Sequence, residues 1–527
     1  MLDAGAKVDA ASVAGSAAAA AATTGERSTP SEEAFELLVH AVTTKSSAVA
    51  HARNPRRGMD TRVALADACS EAADRSDLAA AYTGGVRVLL VSTYELGHQP
   101  HHIAVAAAAL EARGHDIVTM DLAVEAWDPP SVATAAAIAV SVPMHTAARL
   151  AVEVVTRLRT ERPGIPIAMF GLYAMVPAGL DGVARFAGEF AEALGDWVDA
   201  PNRVGALLPI TRTSSMTRQQ VPARARLPSL SSYACLSVAG EERTAGYVEA
   251  STGCRHRCRH CPVPTVYNGR INVTNLDALF ADVGQQVAAG ARHITFGDPD
   301  FLNAPAHSRR VVEAFANRHP GVTFDATVKV EHILSHADVW PTFADAGCLF
   351  VISAFEVLSD DILEKLDKGH TAADAGKAVH MLRDHGIEIR PSWLPFTPWT
   401  SLDDIVDIFR FIARHDLVPN TDAVQLAIRL LIPDGSLVLD LPDASDWLGP
   451  YDEAALSYTW TSPDPRLDAL QLEFAQLAER GVARPPAETF REMWGIVAAE
   501  TGMRVDNIAI PAGATVGRPR MTEPWFC

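Results

Sequence analysis

Three things are scarce in this sequence, and each scarcity narrows what it can do. No uninterrupted apolar run reaches the roughly 20 residues needed to span a bilayer. No run of Lys and Arg is long enough to build a basic groove, and the net charge is -19, which argues against nucleic acid or an anionic membrane surface as the main partner. Cysteines number seven among 527 residues; Cys69, Cys235, Cys348 and Cys527 are scattered, so no disulfide framework is expected and a reducing, cytoplasmic setting is. The Ala-rich residues 17–22 have no basic segment before them and polar, charged sequence after them, unlike a secretory signal. What remains is a small molecule or a protein as substrate.

With 48% hydrophobic residues over this length, the chain has material for more than one core. Residues 1–84, rich in Ala, Ser and Thr, read as a variable N-terminus, partly disordered, with helices near residues 31–45 and 61–73. Over residues 85–200, apolar strand runs (86–92, 114–121, 137–141, 165–170) alternate with helical stretches (101–113, 146–159), which predicts an α/β domain with a doubly wound parallel sheet. Its ligands would sit beyond the strand ends, at residues 93–102, 143–146 and 171–173. Residues 201–240 read as a linker. A second series over 241–435, with strands near 247–250, 293–297, 323–330, 349–354, 387–394 and 424–431, predicts a partial or full β/α barrel with its site at the C-terminal strand ends. A helical region over 436–510 and a flexible tail over 511–527 follow.

At the end of the first barrel strand stand Cys254, Cys258 and Cys261, spaced CxxxCxxC. Thiolates at this spacing hold an iron–sulfur cluster or, if His256 or His260 joins them, a closed zinc site. A cluster held by three cysteines leaves one iron open to a ligand.

The motif, followed by further βα units, resembles the radical S-adenosylmethionine (SAM) superfamily. The resemblance implies that Cys254, Cys258 and Cys261 bind a [4Fe-4S] cluster whose open iron chelates SAM. It implies further that electron transfer, from a reducing partner such as flavodoxin or ferredoxin, cleaves a carbon–sulfur bond of SAM. Gly297, Asp298 and Pro299 resemble the Gly-Glu-Pro segment that contacts the SAM amino group, with Asp in place of Glu. Ser353 and Glu356 resemble the Ser/Glu pattern near the SAM ribose and carboxylate, and the segment 366–371 the element that follows. Arg429, on the expected sixth strand, is a candidate partner for the SAM carboxylate. Lys329, Glu331 and Arg390 read as ordinary ion-pair residues.

The preceding α/β domain is similar to the cobalamin-binding domain of the B12-dependent members, which makes Thr93, His98 and Ser141 a candidate cobalamin pocket. The Asp-x-His-x-x-Gly signature of histidine-ligated cobalamin is missing. Residues 94–100, 260–264, 293–301, 395–399 and 429–433 together resemble the radical SAM (seleno)proteins named for a Cys-Sec-Ala-Glu-Pro or Cys-Cys-Ala-Glu-Pro tail. Against that pattern the chain stops at Cys527, as expected if a UGA codon for selenocysteine followed.

Next to such a tail, Cys527 would be a soft, reducible ligand for a thiophilic substrate. The resemblance then implies transfer of a SAM-derived carbon group, methyl or 3-amino-3-carboxypropyl, to a small molecule, with trivalent arsenic in arsinothricin-type antibiotic biosynthesis as one acceptor. Cobalamin-dependent methylation of a natural product or peptide precursor is the competing enzyme reading. A metal-stabilised thiol protein that binds or senses is the reading from another class.

Overall fold

The computed structural model describes residues 85–177, 179–200, 220–482, 484–505, 508 and 518–523. The expectations for residues 1–84, for Cys69 and for Cys527 lie outside them.

The first sheet is parallel, in the order β2-β1-β3-β4-β5. Its strands are β1 (Arg87–Ser92), β2 (Asp116–Asp121), β3 (Ala137–Ser141), β4 (Ile167–Phe170) and β5 (Val183–Phe186). Central strands such as β3 and β4 are buried along their whole length, because helices cover both faces. Helices His101–Glu111 and Ala191–Asp199 pack on one face, and Pro129–Thr134 and His145–Glu161 on the other. The strand order reverses between β1 and β3, so the ligand crevice expected of such sheets lies at Ser92, Thr93 and Ser141.

The second sheet is a half-barrel. Five parallel strands, β7 (Glu241–Val248), β10 (His293–Phe296), β11 (Thr323–Thr327), β12 (Cys348–Glu356) and β13 (Glu388–Trp393), are extended at the β7 edge by antiparallel β6 (Cys235–Val238) and β16 (Arg520–Met521). A short hairpin of β8 (Ser251–Gly253) and β9 (Ile271–Val273) brackets the cysteine loop. Helices Leu276–Ala288, Pro305–Arg318, Ala372–Asp384 and Leu402–Arg414 cover the outer face. Capping boxes of Thr371 with Asp374 and of Ser401 with Asp404 fix where two of them start, satisfying otherwise orphaned N–H groups.

Four expectations need correction. The sixth strand over 424–431 does not form: a 3-10 helix, Ala423–Ala427, stands there, followed by one isolated bridge between Phe396 and Arg429. The outer edge of β13 is satisfied by side chains instead, with Trp393 N donating to Gln425 Oε1 (3.1 Å) and Asn420 Nδ2 to Ile389 O (2.8 Å). The C-terminal part of the expected linker is packed, since Arg224 is buried between the two domains. Within the tail, Arg520–Met521 pairs with β6, and Tyr94 donates from its hydroxyl to Glu523 Oε1 at 3.1 Å. The region after 436 also holds a hairpin, β14 (Leu448–Asp452) with β15 (Ser457–Trp460), before helices Pro465–Arg480 and Pro486–Thr501.

Candidate active site

The cysteine loop leaves β8 at the C-terminal end of the parallel strands, and side chains from those strand ends clamp it. Asp298, just after β10, is buried; its Oδ2 accepts from Ala250 N (2.9 Å) and its Oδ1 from the Ser251 hydroxyl (2.5 Å). Asn303 Oδ1 accepts from Arg255 N (3.2 Å) and lies 3.7 Å from Cys254 Sγ. On the far side of the loop, Arg259 N donates to Leu366 O (2.9 Å), and the Arg259 guanidinium to Lys365 O (2.7 Å). Glu356, at the end of β12, sets one oxygen 3.0 Å from His260 Nε2 and 2.9 Å from Lys368 Nζ. Glu356 also adopts φ 61°, a left-handed conformation that costs a non-glycine residue on the order of 1 kcal/mol and gathers at functional sites.

Electrostatics follow from this burial. Cys254, Cys258 and Cys261 are all free thiols; burial raises the Cys254 thiol and pushes Cys261 up to about 12, with the other cysteines adding to it. Thiols in such a setting deprotonate only against a cation, so three of them on one loop are candidate ligands of an iron–sulfur cluster or a metal ion. Burial alone would raise Glu356, but Lys368 and His260 hold it well below the ordinary carboxylate range. The Lys368 ammonium, which burial disfavours, is held charged by Glu356 and by Cys258 and Cys261.

The structure brings some of the predicted residues together and not others. Gly297 lies under the Tyr247 ring, where a Cβ would fall 2.0 Å from the phenol carbon and oxygen, so only glycine fits. Asp298 and Glu356 both reach the cysteine loop, whereas Pro299 is exposed. Ser353 shares its face of β12 with Val351 and Phe355, which pack in the large core beneath the helices, so alternation turns it away from the inner face. Arg429 is taken up elsewhere, at 2.6 Å from Asp468 and stacked 3.5 Å over the Trp460 ring. Lys329 pairs with Glu331 and Arg390 with Asp422, the ordinary ion pairs expected of them. Lys368 and His260 lay inside segments singled out from the sequence, yet nothing in their local pattern marked them as partners of Glu356.

The first domain presents its strand ends to this loop. Glu189 Oε1 accepts from Thr252, Tyr267 and Asn272 of the β8–β9 region. Tyr173, beyond β4, faces Cys261 across a small cavity of about 20 Å3 also lined by Leu172, Val176, His260 and Asp434. At the β1/β3 crevice Thr93 Oγ1 donates to Ala147 O, and the buried Ser141 hydroxyl has no partner. His98 instead packs its ring 4.6 Å from that of Tyr247 in the seam between domains, where burial and Arg224 lower its pKa to about 3.

The chain thus sets a cysteine loop at the strand ends of a half-barrel, behind a doubly wound domain. Residues 248–412 match the radical SAM superfamily, and the chain carries a domain of that superfamily. Its fold is shared with TsrM from Kitasatospora setae, a radical S-adenosylmethionine methyltransferase solved with tryptophan substrate and the SAM analogue aza-SAM. That match has TM-score 0.57 and 15% identity, covering 74% of this chain and 89% of that one. It is shared too with OxsB, a cobalamin-dependent S-adenosylmethionine radical enzyme solved with aqua-cobalamin, at TM-score 0.59 and 12% identity over 79% of this chain and 71% of that one. A further structure of the Kitasatospora setae TsrM, with cobalamin and [4Fe-4S] cluster bound, matches at TM-score 0.50 and 16% identity over 63% and 73%. No curated protein matches the chain in sequence. Among the described residues no helix is long and apolar enough to cross a membrane.

Proposed function

We propose that the protein is a radical SAM enzyme in which Cys254, Cys258 and Cys261 hold a [4Fe-4S] cluster and a SAM-derived carbon group passes to a small-molecule acceptor. The observation that carries this reading is the clamped loop itself: three free, buried or half-buried thiols fixed by Asp298, Asn303, Glu356 and Lys368 at the strand ends. When bound, the cluster supplies the electron that cleaves a carbon–sulfur bond of SAM, fed by a reductant such as flavodoxin or ferredoxin. The chain's own residues orient the loop and place the Lys368 charge near Cys258 and Cys261. Anaerobic reconstitution with iron and sulfide, followed by SAM and a reductant, tests it. A brown, SAM-responsive protein that releases a SAM fragment is the expected result; zinc retained with no cluster formed would return the thiol-binding or sensor reading.

Methyl transfer is favoured over 3-amino-3-carboxypropyl transfer by the doubly wound domain, whose strand ends face the cysteine loop. Cobalamin is the candidate methyl carrier, and Ser141, with its unpartnered hydroxyl, is the group in the β1/β3 crevice best placed to meet it. A purified protein that absorbs as a corrinoid and forms 5′-deoxyadenosine supports methylation; methylthioadenosine with no corrinoid requirement supports the alternative. The alternative, with trivalent arsenic as acceptor, draws on the tail: Glu523, four residues before Cys527, is bonded to Tyr94 in the loop after β1. Isotope-labelled SAM followed into product decides which carbon group moves.

A further inference from the structure

A second group of metal-ligating side chains stands beside the cysteine loop, and it contains no cysteine. His256 lies between Cys254 and Cys258 in the loop, Asp300 follows β10, and His332 is on the helix Val330–Ser335 after β11. Their ligand atoms all lie within 4.8 Å of one another. The two Nε2 atoms are 3.2 Å apart, His256 Nε2 is 3.8 Å from Asp300 Oδ2, and His332 Nδ1 is 2.6 Å from that same oxygen.

The last contact is close but not aligned as a hydrogen bond, and both His332 Nδ1 and Asp300 Oδ2 are buried without a hydrogen-bond partner. A fully buried carboxylate oxygen left in this state is costly. His332 Nδ1 and Asp300 Oδ2 converge with no hydrogen bond between them, and the two histidine Nε2 atoms lie within hydrogen-bond reach of each other, so that the group is arranged as ligands of a common cation. The other Asp300 oxygen is already used, accepting from Leu302 N at 3.2 Å, which aims Oδ2 at the histidines. Behind His256, Glu331 Oε2 lies 3.7 Å from Nδ1, outside hydrogen-bond reach, and pairs with Lys329 Nζ at 3.4 Å.

We propose that His256, Asp300 and His332 form a mononuclear site for a divalent first-row transition ion, with zinc as its first occupant. Two imidazoles and one carboxylate suit such an ion and not magnesium or calcium, which prefer oxygen ligands throughout. Because His256 sits between two of the cluster cysteines, the ion pins that loop to the ends of β10 and β11. The site holds whether or not the cysteines carry a cluster, so it stands apart from the functional reading above.

The test uses the full chain, reconstituted anaerobically so that iron occupies the cysteines, then exposed to zinc and desalted. Elemental analysis is expected to find about one zinc per chain beside the iron, and zinc K-edge absorption to show a nitrogen and oxygen shell with histidine scattering. His332→Gln and Asp300→Asn are expected to lose the zinc while keeping the iron. Failure of the unaltered chain to retain zinc, sulfur in the zinc shell, or either variant binding zinc like its parent overturns the proposal. The zinc shell of the unaltered chain decides even if both variants fold poorly.

Discussion

Glu356 Oε1 and Lys368 Nζ meet at 2.9 Å, both residues buried, where β12 ends beside the cysteine loop. The same oxygen lies 3.0 Å from His260 Nε2, so one carboxylate ties the strand end, the loop and the following turn together. Neither charge would be tolerated there alone. The pair is a fixed feature of the loop's surroundings, not a surface decoration.

Replacing Lys368 with Met leaves Glu356 buried and without its ammonium, and should cost about 3–5 kcal/mol. Glu356 is depressed in the folded protein, so the stability it contributes is present above its unfolded pKa. That contribution is lost only as pH falls through the folded value, below the ordinary carboxylate pKa of about 4. In Lys368→Met, burial raises the carboxyl instead, so the variant should be weakest near neutral pH and regain ground as pH drops toward 5. Urea titrations at several pH values check this, and adding Glu356→Gln should recover part of the loss.

Asp298 separates two roles by one measurement. Asp298→Ala strips the acceptors from Ala250 N and the Ser251 hydroxyl, leaving buried donors unmade at about 1–3 kcal/mol each. Asp298→Asn keeps an acceptor for Ala250 N. If Asp298 only holds the loop, Asp298→Asn should keep near-normal affinity for SAM and most of the stability. A large rise in the SAM dissociation constant with unchanged melting would instead show direct contact with SAM.

Much of the fold was legible because periodicity and caps are local. The βα alternation marked both sheets, and the capping boxes of Ser401 with Asp404 and of Thr371 with Asp374 fix helix starts within a few residues of sequence. The sixth strand misled because residues 424–431 are apolar enough for a strand, while the groups that occupy its place, Gln425 and Asn420, act through side chains. The pairing of β6 with the tail joins Cys235 to Thr522, 287 positions apart, and no local pattern encodes so distant a contact. The three cysteines stood out in the sequence by their spacing. Their clamps did not, since His260 meets Glu356 96 positions on, and Arg429 had an equally invisible partner in Asp468.

Two buried carboxyls, Glu95 in the seam between domains and Asp298 beside the cysteine loop, should make stability fall as pH rises above neutrality. Burial raises Glu95 to about 8 and Asp298 to about 7. Groups raised above their unfolded values stabilise fully below the unfolded pKa and lose that contribution as pH climbs through the folded one. A tenfold difference in proton affinity between the folded and unfolded chain is worth about 1.4 kcal/mol; below about pH 6.5 the buried neutral His98 and His101 act with the opposite sign, so the midpoint of thermal unfolding should decline between about pH 7 and pH 8, where unfolded histidines are neutral too. Glu95→Gln, which keeps an acceptor for His101 N (3.1 Å) but cannot ionise, should flatten the upper part of that decline. A slope unchanged in the variant would assign the effect to other groups.

Arg224 carries the strongest test of how the two domains are joined. Its guanidinium makes a two-pronged contact with Asp282, Nε to Oδ1 and Nη2 to Oδ2, both at 2.8 Å. It also donates to Tyr247 O at 2.7 Å and lies 2.9 Å from His101 Nδ1. Arginine only donates, so His101 Nδ1 must accept and its proton sits on Nε2, the neutral form that burial and Arg224 already impose. Arg224→Met strands the buried Asp282 charge and should cost about 3–5 kcal/mol, whereas Arg224→Met with Asp282→Leu removes both charges and should regain most of it. Arg224→Lys keeps the charge but not the planar fork, so it should fall between the two. A lysine variant as stable as the parent would mean that charge alone, and not the geometry shared by His101, Tyr247 and Asp282, holds the seam.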